Sequence, residues 1–303
     1  MVQKKVEKLI VITGPTAVGK SDSAVNIAQS IGGEVISADS MQIYKGMDVG
    51  TGKITQSEMR GVCHYMLDVC APDEDYSVGR YVVEAKNCIE TIKNNKKIPI
   101  LCGGTGLYIN SLLFNHTFAS APKDEKIREQ IKLFAAENGN EKLYAWLKDV
   151  DPVSAEQINV NDTKRLVRAL EIYTITGKPR GEFKDEPKAA YDYLFIVFVD
   201  EREKLYDRIN ARVDKMVQNG LVDEVKSLYG YKNYNSMQAI GYKEIVQYLD
   251  GQISLDDAIE QVKQNSRRYA KRQMTFFRGI NAQKHFVTVS QDVDGLINDF
   301  LNN

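Results

Sequence analysis

The sequence predicts an α/β fold: a doubly wound parallel sheet of the phosphate-binding-loop type, carrying an inserted helical domain. Two observations lead there. Apolar runs of strand length recur as "KLIVITG" (8–14), "GEVISAD" (33–39), "KIPILCGG" (97–104), "YLFIVFVD" (193–200) and "HFVTVS" (285–290), with helical patterns between them. They are continuous rather than alternating, as in strands buried on both faces. From about 116 to 192 the runs stop, and "DEKIREQIKLFAAENGNEKLYAWLKDV" and "KRLVRALEIYTIT" space their apolar residues at three and four, the helical period. The expected division is a core of residues 1–115 and 193–303 around a helical insertion at 116–192. The Gly-, Pro- and charge-rich "TGKPRGEFKDEPK" returns the chain to the core.

The first strand leads into "GPTAVGKS", Gly14 to Ser21, and then into the helical "DSAVNIAQSIGG". Strand, glycine-bounded loop and helix in that order make a phosphate-binding loop. Its glycines let backbone N–H groups turn toward phosphate oxygens, Lys20 supplies a point charge and Ser21 can sit on a Mg²⁺ ion.

The second strand ends at Asp39, on the edge where ligands collect in open α/β sheets. Three roles compete for that carboxylate: metal ligand, general base toward an acceptor beside the phosphate, or helix N-cap. Spacing alone does not separate them. The third strand ends in "LCGGTGLYIN", where glycines allow close approach of a ligand and Thr105 offers a hydroxyl. A tight turn explains the same glycines.

Near the end, Lys263 to Arg278 carries six Lys or Arg residues and no acid. Val262, Tyr269, Met274 and Phe277 lie near a helical apolar stripe, which leaves Lys263, Arg267, Arg268, Lys271 and Arg272 for other faces. A dense acid-free run suits a nucleic-acid backbone, although a solvated helix face has the same composition.

The 303 residues are 43% hydrophobic and 27% charged with a formal net charge of −1, a globular mix rather than a disordered one. No run approaches the roughly 18–20 apolar residues of a membrane span, so a cytoplasmic protein is expected. Cys63, Cys70, Cys88 and Cys102 form no C-x-x-C pair and read as reduced thiols rather than a zinc knuckle or disulfide framework. His64, His116 and His285 show no ligand spacing, and Trp146 falls at a helical apolar position, so none is assigned chemistry.

"GPTAVGKS", "ADSMQIYKGMDVGTGK", "CGGTGLY", "NDTKRLVRALEIYTITGKP", "RINARVDKMVQNGLVDEV", "MQAIGYKE" and "YAKRQMTFFR" follow one another along the chain. In this the chain resembles the bacterial tRNA dimethylallyltransferases, the IPP transferase family, over nearly its whole length. The resemblance implies transfer of a dimethylallyl group from dimethylallyl diphosphate, with Mg²⁺, to the exocyclic amine of the adenosine 3′ of a tRNA anticodon. The sequence leaves no strong apolar face over for a dimer, so a monomer is expected. Gly14, Pro15, Thr16, Ala17, Val18, Gly19, Lys20 and Ser21 would cradle the diphosphate, Ser21 on the metal. Asp39 would be the base, with Thr105, Lys20 and Arg212 completing the catalytic set; Arg212 is preferred to Arg208.

The tRNA surface implied by the same motifs includes Asp39, Ser40, Met41, Gln42 and Thr105 at the reaction centre. Arg128, Lys164, Arg165, Leu166, Val167 and Arg168 would contribute from the insertion. Gly241, Lys243, Lys271, Arg272, Gln273 and Arg278 would contribute from the last part of the chain. The sequence departs from the pattern at Phe276-Phe277, where a tryptophan is common, at Gly52, usually alanine, and at His64-Tyr65, usually two histidines. The rival readings are an adenylate isopentenyltransferase acting on free nucleotides and a small-molecule kinase holding ATP in the same loop; a non-catalytic RNA-binding protein is a further one.

Overall fold

The computed structural model describes residues 7–114, 124–183 and 189–303. Expectations that fall on 115–123 and 184–188, the edge of the insertion and part of the return loop, lie outside the described residues. The described chain falls into two compact units, one within Met1–Phe114 and Ala189–Asn303, the other within Asn115–Lys188.

The first unit is built on a six-stranded sheet: β1 (Lys8–Thr13), β2 (Gly33–Ser37), β3 (His64–Tyr65), β4 (Ile98–Gly103), β5 (Asp192–Val199) and β6 (His285–Thr288), in the order β3-β2-β4-β1-β5-β6. Every pairing is parallel. The five expected strands are present. β3 is additional, a two-residue edge strand pairing Val35 with His64 and Ile36 with Tyr65, too short to leave a periodic signal.

Helices α1 (Lys20–Ile31), α2 (Gln56–Met59), α3 (Val78–Asn94) and α4 (Gly106–Leu113) belong to this unit. The middle of β1 is fully buried at Leu9 to Ile12, because helices cover both faces of a parallel sheet. Ile10, Ile12, Ile100 and Ile196 form one core with Ala24, Val25 and Ala28 of α1.

The second unit is helical: α5 (Glu125–Val150), α6 (Pro152–Gln157) and α7 (Thr163–Thr176). α5 is broken at Gly139, whose φ of 81° and ψ of 165° lie outside the helical region. Leu143, Leu147, Leu166, Val167 and Leu170 are its buried core, with Trp146 packed edge-on against Phe134.

The first unit resumes with α8 (Arg202–Gln218), α9 (Leu221–Ser227), α10 (Tyr242–Leu249), α11 (Leu255–Gly279) and α12 (Asp294–Asn302). A second core, including Tyr44, Met47, Leu221, Met237, Tyr242 and Ile245, joins the segment after β2 to α9 and α10.

Candidate active site

The loop after β1 is shaped by its glycines. Gly14 has φ +150°, and a Cβ there would lie 2.6 Å from the Phe198 carbonyl oxygen, so a side chain would force the loop off β5. Gly19, in the left-handed region, is the N-cap of α1, and no side chain caps that helix. The first-turn N–H groups and the positive helix end are therefore left for an anion. Lys20 Nζ lies 3.4 Å from the Pro15 carbonyl. Burial pushes its ammonium pKa down and Arg212 adds to this, while Cys102 and Asp39 oppose it. Ser21 is exposed.

Asp39 follows β2 in a turn, not at a helix start, which removes the N-cap reading. Its Oδ1 accepts a hydrogen bond from Met41 N at 2.9 Å; this fixes the carboxylate locally. Thr105, at the start of α4, ties the neighbouring strand ends together. Its N–H donates to Ala38 O at 2.9 Å, and its Oγ1 accepts from Ser40 N at 2.9 Å and donates to Ser40 Oγ at 3.2 Å. Burial, then the charge of Asp39, pushes the Tyr269 phenol of α11 up to about 12, while hydrogen bonds from Thr105 and Gln273 pull the other way.

Arg212 of α8 donates from Nη2 to the Thr51 carbonyl at 3.1 Å. Burial lowers its pKa, whereas Asp39 and Glu58 favour the charge. The guanidinium occupies the space a side chain at residue 52 would need: a Cβ on Gly52, whose φ is +57°, would sit 2.0 Å from Nη2. The departure from alanine and the placement of Arg212 thus go together. Arg208, one turn earlier, is ion-paired with Asp200.

These groups border two cavities. One, of about 370 Å³, is lined by Thr16, Asp39, Ser40 and Arg212 and by the apolar Ile209, Val213, Met216, Ile240 and Val262. The other, of about 880 Å³, is lined by Lys20, Ser21, Lys53, Arg60 and Arg208. Arg212 and Met216 line both. A cation-rich compartment at the phosphate loop and a smaller, mixed one at Asp39, apolar along its α8 side, therefore share the Arg212 wall.

Among the described residues no three His, Cys, Asp or Glu side chains are grouped as a metal site. A divalent ion here would draw its ligands from Ser21, phosphate oxygens and water, which is how Mg²⁺ binds substrate phosphates. The donor set fits that ion.

The other expected site residues separate by burial. Lys271, Arg272, Arg278, Lys164 and Arg165 are exposed, and Met41, Gln42, Arg128, Arg168 and Lys243 are half-buried. Lys243 and Arg272 line the smaller cavity. Arg128 and Arg168 both pair with Glu171, at 2.9 and 2.8 Å.

Four residues expected to face RNA do not offer a side chain to it. Leu166 and Val167 are core residues of the second unit, and Gly241 is buried as the N-cap of α10. Gln273 is 5% exposed, its Oε1 accepting from Thr16 N and its Nε2 donating to Gly104 O, each at 2.9 Å. It is a clamp between the phosphate loop and the turn after β4. The apolar wall from α8, Ile209, Val213 and Met216, was not singled out in the sequence; its spacing of four and three marks a helix face but does not distinguish cavity from core.

The family model described as IPP transferase matches residues 42–280. Over 276 residues the chain is 49% identical to a tRNA dimethylallyltransferase of Geobacillus thermodenitrificans, covering 90% of this chain and 88% of that one. Over 284 residues it is 48% identical to its counterpart from Geobacillus kaustophilus, covering 92% and 90%. Among solved structures, the full-length tRNA isopentenylpyrophosphate transferase of Bacillus halodurans superposes with a TM-score of 0.71 at 43% identity, covering 98% of this chain and 95% of that one. A eukaryotic dimethylallyltransferase acting on tRNA superposes with a TM-score of 0.84 at 32% identity, covering 98% and 80%. With a family match over most of its length, and a phosphate loop, carboxylate and guanidinium set around adjoining cavities, the chain belongs to the IPP transferase family.

Proposed function

We infer that this protein is a tRNA dimethylallyltransferase: it transfers the dimethylallyl group of dimethylallyl diphosphate to the exocyclic amine of the adenosine 3′ of a tRNA anticodon and releases diphosphate. The observation that carries the reading is the shared wall. A larger, cation-rich compartment at the phosphate loop adjoins a smaller one that holds Asp39 opposite apolar residues of α8, with Arg212 between them. A substrate with an anionic head and a small branched hydrocarbon tail has this pattern. A cytoplasmic location is proposed with it, because the acceptor is tRNA.

An adenine amine is a weak nucleophile because its lone pair is delocalised into the ring, so a base that takes its proton during attack assists the reaction. Asp39 is that base, through the carboxylate oxygen not held by Met41 N–H. As the C–O bond to diphosphate breaks, positive charge develops on the allylic carbon and negative charge on the leaving group. Lys20, Arg212 and the uncapped N–H groups of α1 stabilise the latter electrostatically. A divalent cation, proposed as Mg²⁺ at Ser21, neutralises diphosphate charge when bound. Thr105 holds Ser40 beside Asp39 and so orients the turn that carries the base. The adenosine reaches Asp39 only if it leaves its stack, which costs little in a single-stranded loop.

The test is transfer of label from radioactive dimethylallyl diphosphate in the presence of Mg²⁺, with unmodified tRNA, AMP, ADP and ATP offered separately. Label on tRNA alone is the expected result; label on a free nucleotide overturns the acceptor, and no transfer overturns the chemistry. In the same assay Asp39→Ala is expected to lose about 10²–10⁴ in turnover with tRNA affinity retained. Near-normal turnover would remove Asp39 from the mechanism.

A further inference from the structure

Glu224, on α9, makes an arrangement that the chemistry above does not use. Its Oε2 accepts from the backbone N–H groups of Asp48 at 2.9 Å and Val49 at 2.7 Å. Its Oε1 accepts from Gly50 N at 2.9 Å and from the Tyr242 hydroxyl at 2.6 Å. Three consecutive amides of one loop and a phenol thus converge on a single carboxylate. Hydrogen bonds to an ionised acceptor are stronger than neutral ones, and this acceptor is shared with no cation among the described ion pairs.

The loop so gathered forms part of the partition between the two cavities. Gly50 and Thr51 line the smaller one, whereas Asp48, Val49 and Gly52 line the larger one. The carbonyl of Thr51, the residue that follows the gathered amides, receives Arg212 Nη2. Tyr242, fully buried, holds the other side: a Cβ on Gly50 would lie 2.5 Å from its ring. Burial and the bond to Glu224 push its phenol far above the ordinary range, so it stays a donor.

We propose that Glu224 is a positioning residue for the transfer reaction: by holding the Asp48–Gly50 amides it sets the Thr51 carbonyl that fixes the Arg212 guanidinium at the diphosphate. This rests on the assignment of Arg212 to the leaving group. The same link joins three segments distant in sequence, "MDVGTGK", "NGLVDEV" and "AIGYK", none of which supplies the base or the phosphate loop.

The test uses the whole protein and inorganic pyrophosphate with Mg²⁺ as the probe, titrated calorimetrically, so that it stands apart from any assay of prenyl transfer. Glu224→Gln keeps the size but turns an amide N–H₂ toward donors. It is expected to weaken pyrophosphate binding about tenfold, as a displaced positioning contact does, and to leave tRNA affinity unchanged. The deciding readout is a double-mutant cycle. Because Glu224 acts through Arg212, adding Glu224→Gln to Arg212→Ala should weaken binding by less than about twofold further, and Glu224→Asp should recover part of the loss in the otherwise native protein.

Tyr242→Phe, which keeps the ring against Gly50 and removes one donor, provides the same cycle with a smaller effect if Glu224→Gln does not fold. Native pyrophosphate affinity in folded Glu224→Gln, or losses that multiply fully with those of Arg212→Ala, would overturn the proposal. If the wild type binds pyrophosphate but transfers no prenyl group, the proposed reaction fails while the cycle still tests the positioning role.

Discussion

Lys20 carries its ammonium into a site whose burial disfavours the charge, and Arg212 nearby disfavours it further. With the folded pKa below the usual 10.5, the charged form is a destabilising presence at neutral pH, and that penalty fades as pH rises through the lowered pKa toward 10.5. An anion reverses the balance, because bound diphosphate favours the protonated lysine. Above the lowered pKa, binding therefore takes up a proton, and affinity for pyrophosphate should fall as pH rises. Lys20→Arg stays charged throughout and serves as the reference. The ratio of wild-type to variant affinity, measured by calorimetry across the alkaline range, is expected to decline; a constant ratio would show that Lys20 binds without titrating. The loop that carries Lys20 and Ser21 was legible because the motif ties strand, glycine turn and helix start to one geometry. The choice between Arg208 and Arg212 was not contained in spacing: they stand one turn apart on α8, and differ in their contacts, Arg208 pairing with Asp200 while Arg212 bonds the Thr51 carbonyl and lines both cavities.

At the level of elements, α11 shows where helical periodicity informs and where it misleads. Ala258, Val262, Ala270, Gln273 and Phe277 are its buried positions, and four of the five are apolar residues that mark the inward face. The family resemblance counts Gln273 among the RNA-facing groups, yet the helix turns it to the phosphate loop, where both ends of its amide are used. Replacing it with leucine would leave Thr16 N and Gly104 O without that partner. An unsatisfied buried polar group costs about 1–3 kcal/mol, so Gln273→Leu is expected to lower unfolding stability in urea by about 2 kcal/mol and to weaken pyrophosphate binding. A change below about 0.5 kcal/mol would mean that water replaces the amide. The five longer strands were legible as continuous apolar runs. β3 was not, because a two-residue edge strand takes its conformation from Val35 and Ile36 beside it rather than from its own residues.

Over the whole molecule, a net charge of −1 conceals a basic helix in one unit and exposed cations in the other. Composition alone would have hidden this; the acid-free run from 263 to 278 disclosed it in part. The run does not present all its charges outward, since Arg267 bonds Asn210 Oδ1 at 2.5 Å and Lys263 pairs with Asp214 at 2.9 Å. Lys271 and Arg278 are exposed on α11, Lys164 and Arg165 on α7, and neither pair lines the two cavities. Reversing Lys271 and Arg278 to glutamate should therefore weaken tRNA binding while leaving pyrophosphate affinity unchanged. Each lost phosphate contact should reduce the slope of log K against log salt by about 0.7–0.9. Reversing Lys164 and Arg165 should reduce the slope again, and the two reductions should add if the pairs meet different phosphates. Binding measured at several salt concentrations separates the cases: equal slopes for wild type and the α11 variant would remove that helix from the RNA contact, and a combined variant no shallower than either alone would assign both pairs to the same phosphates.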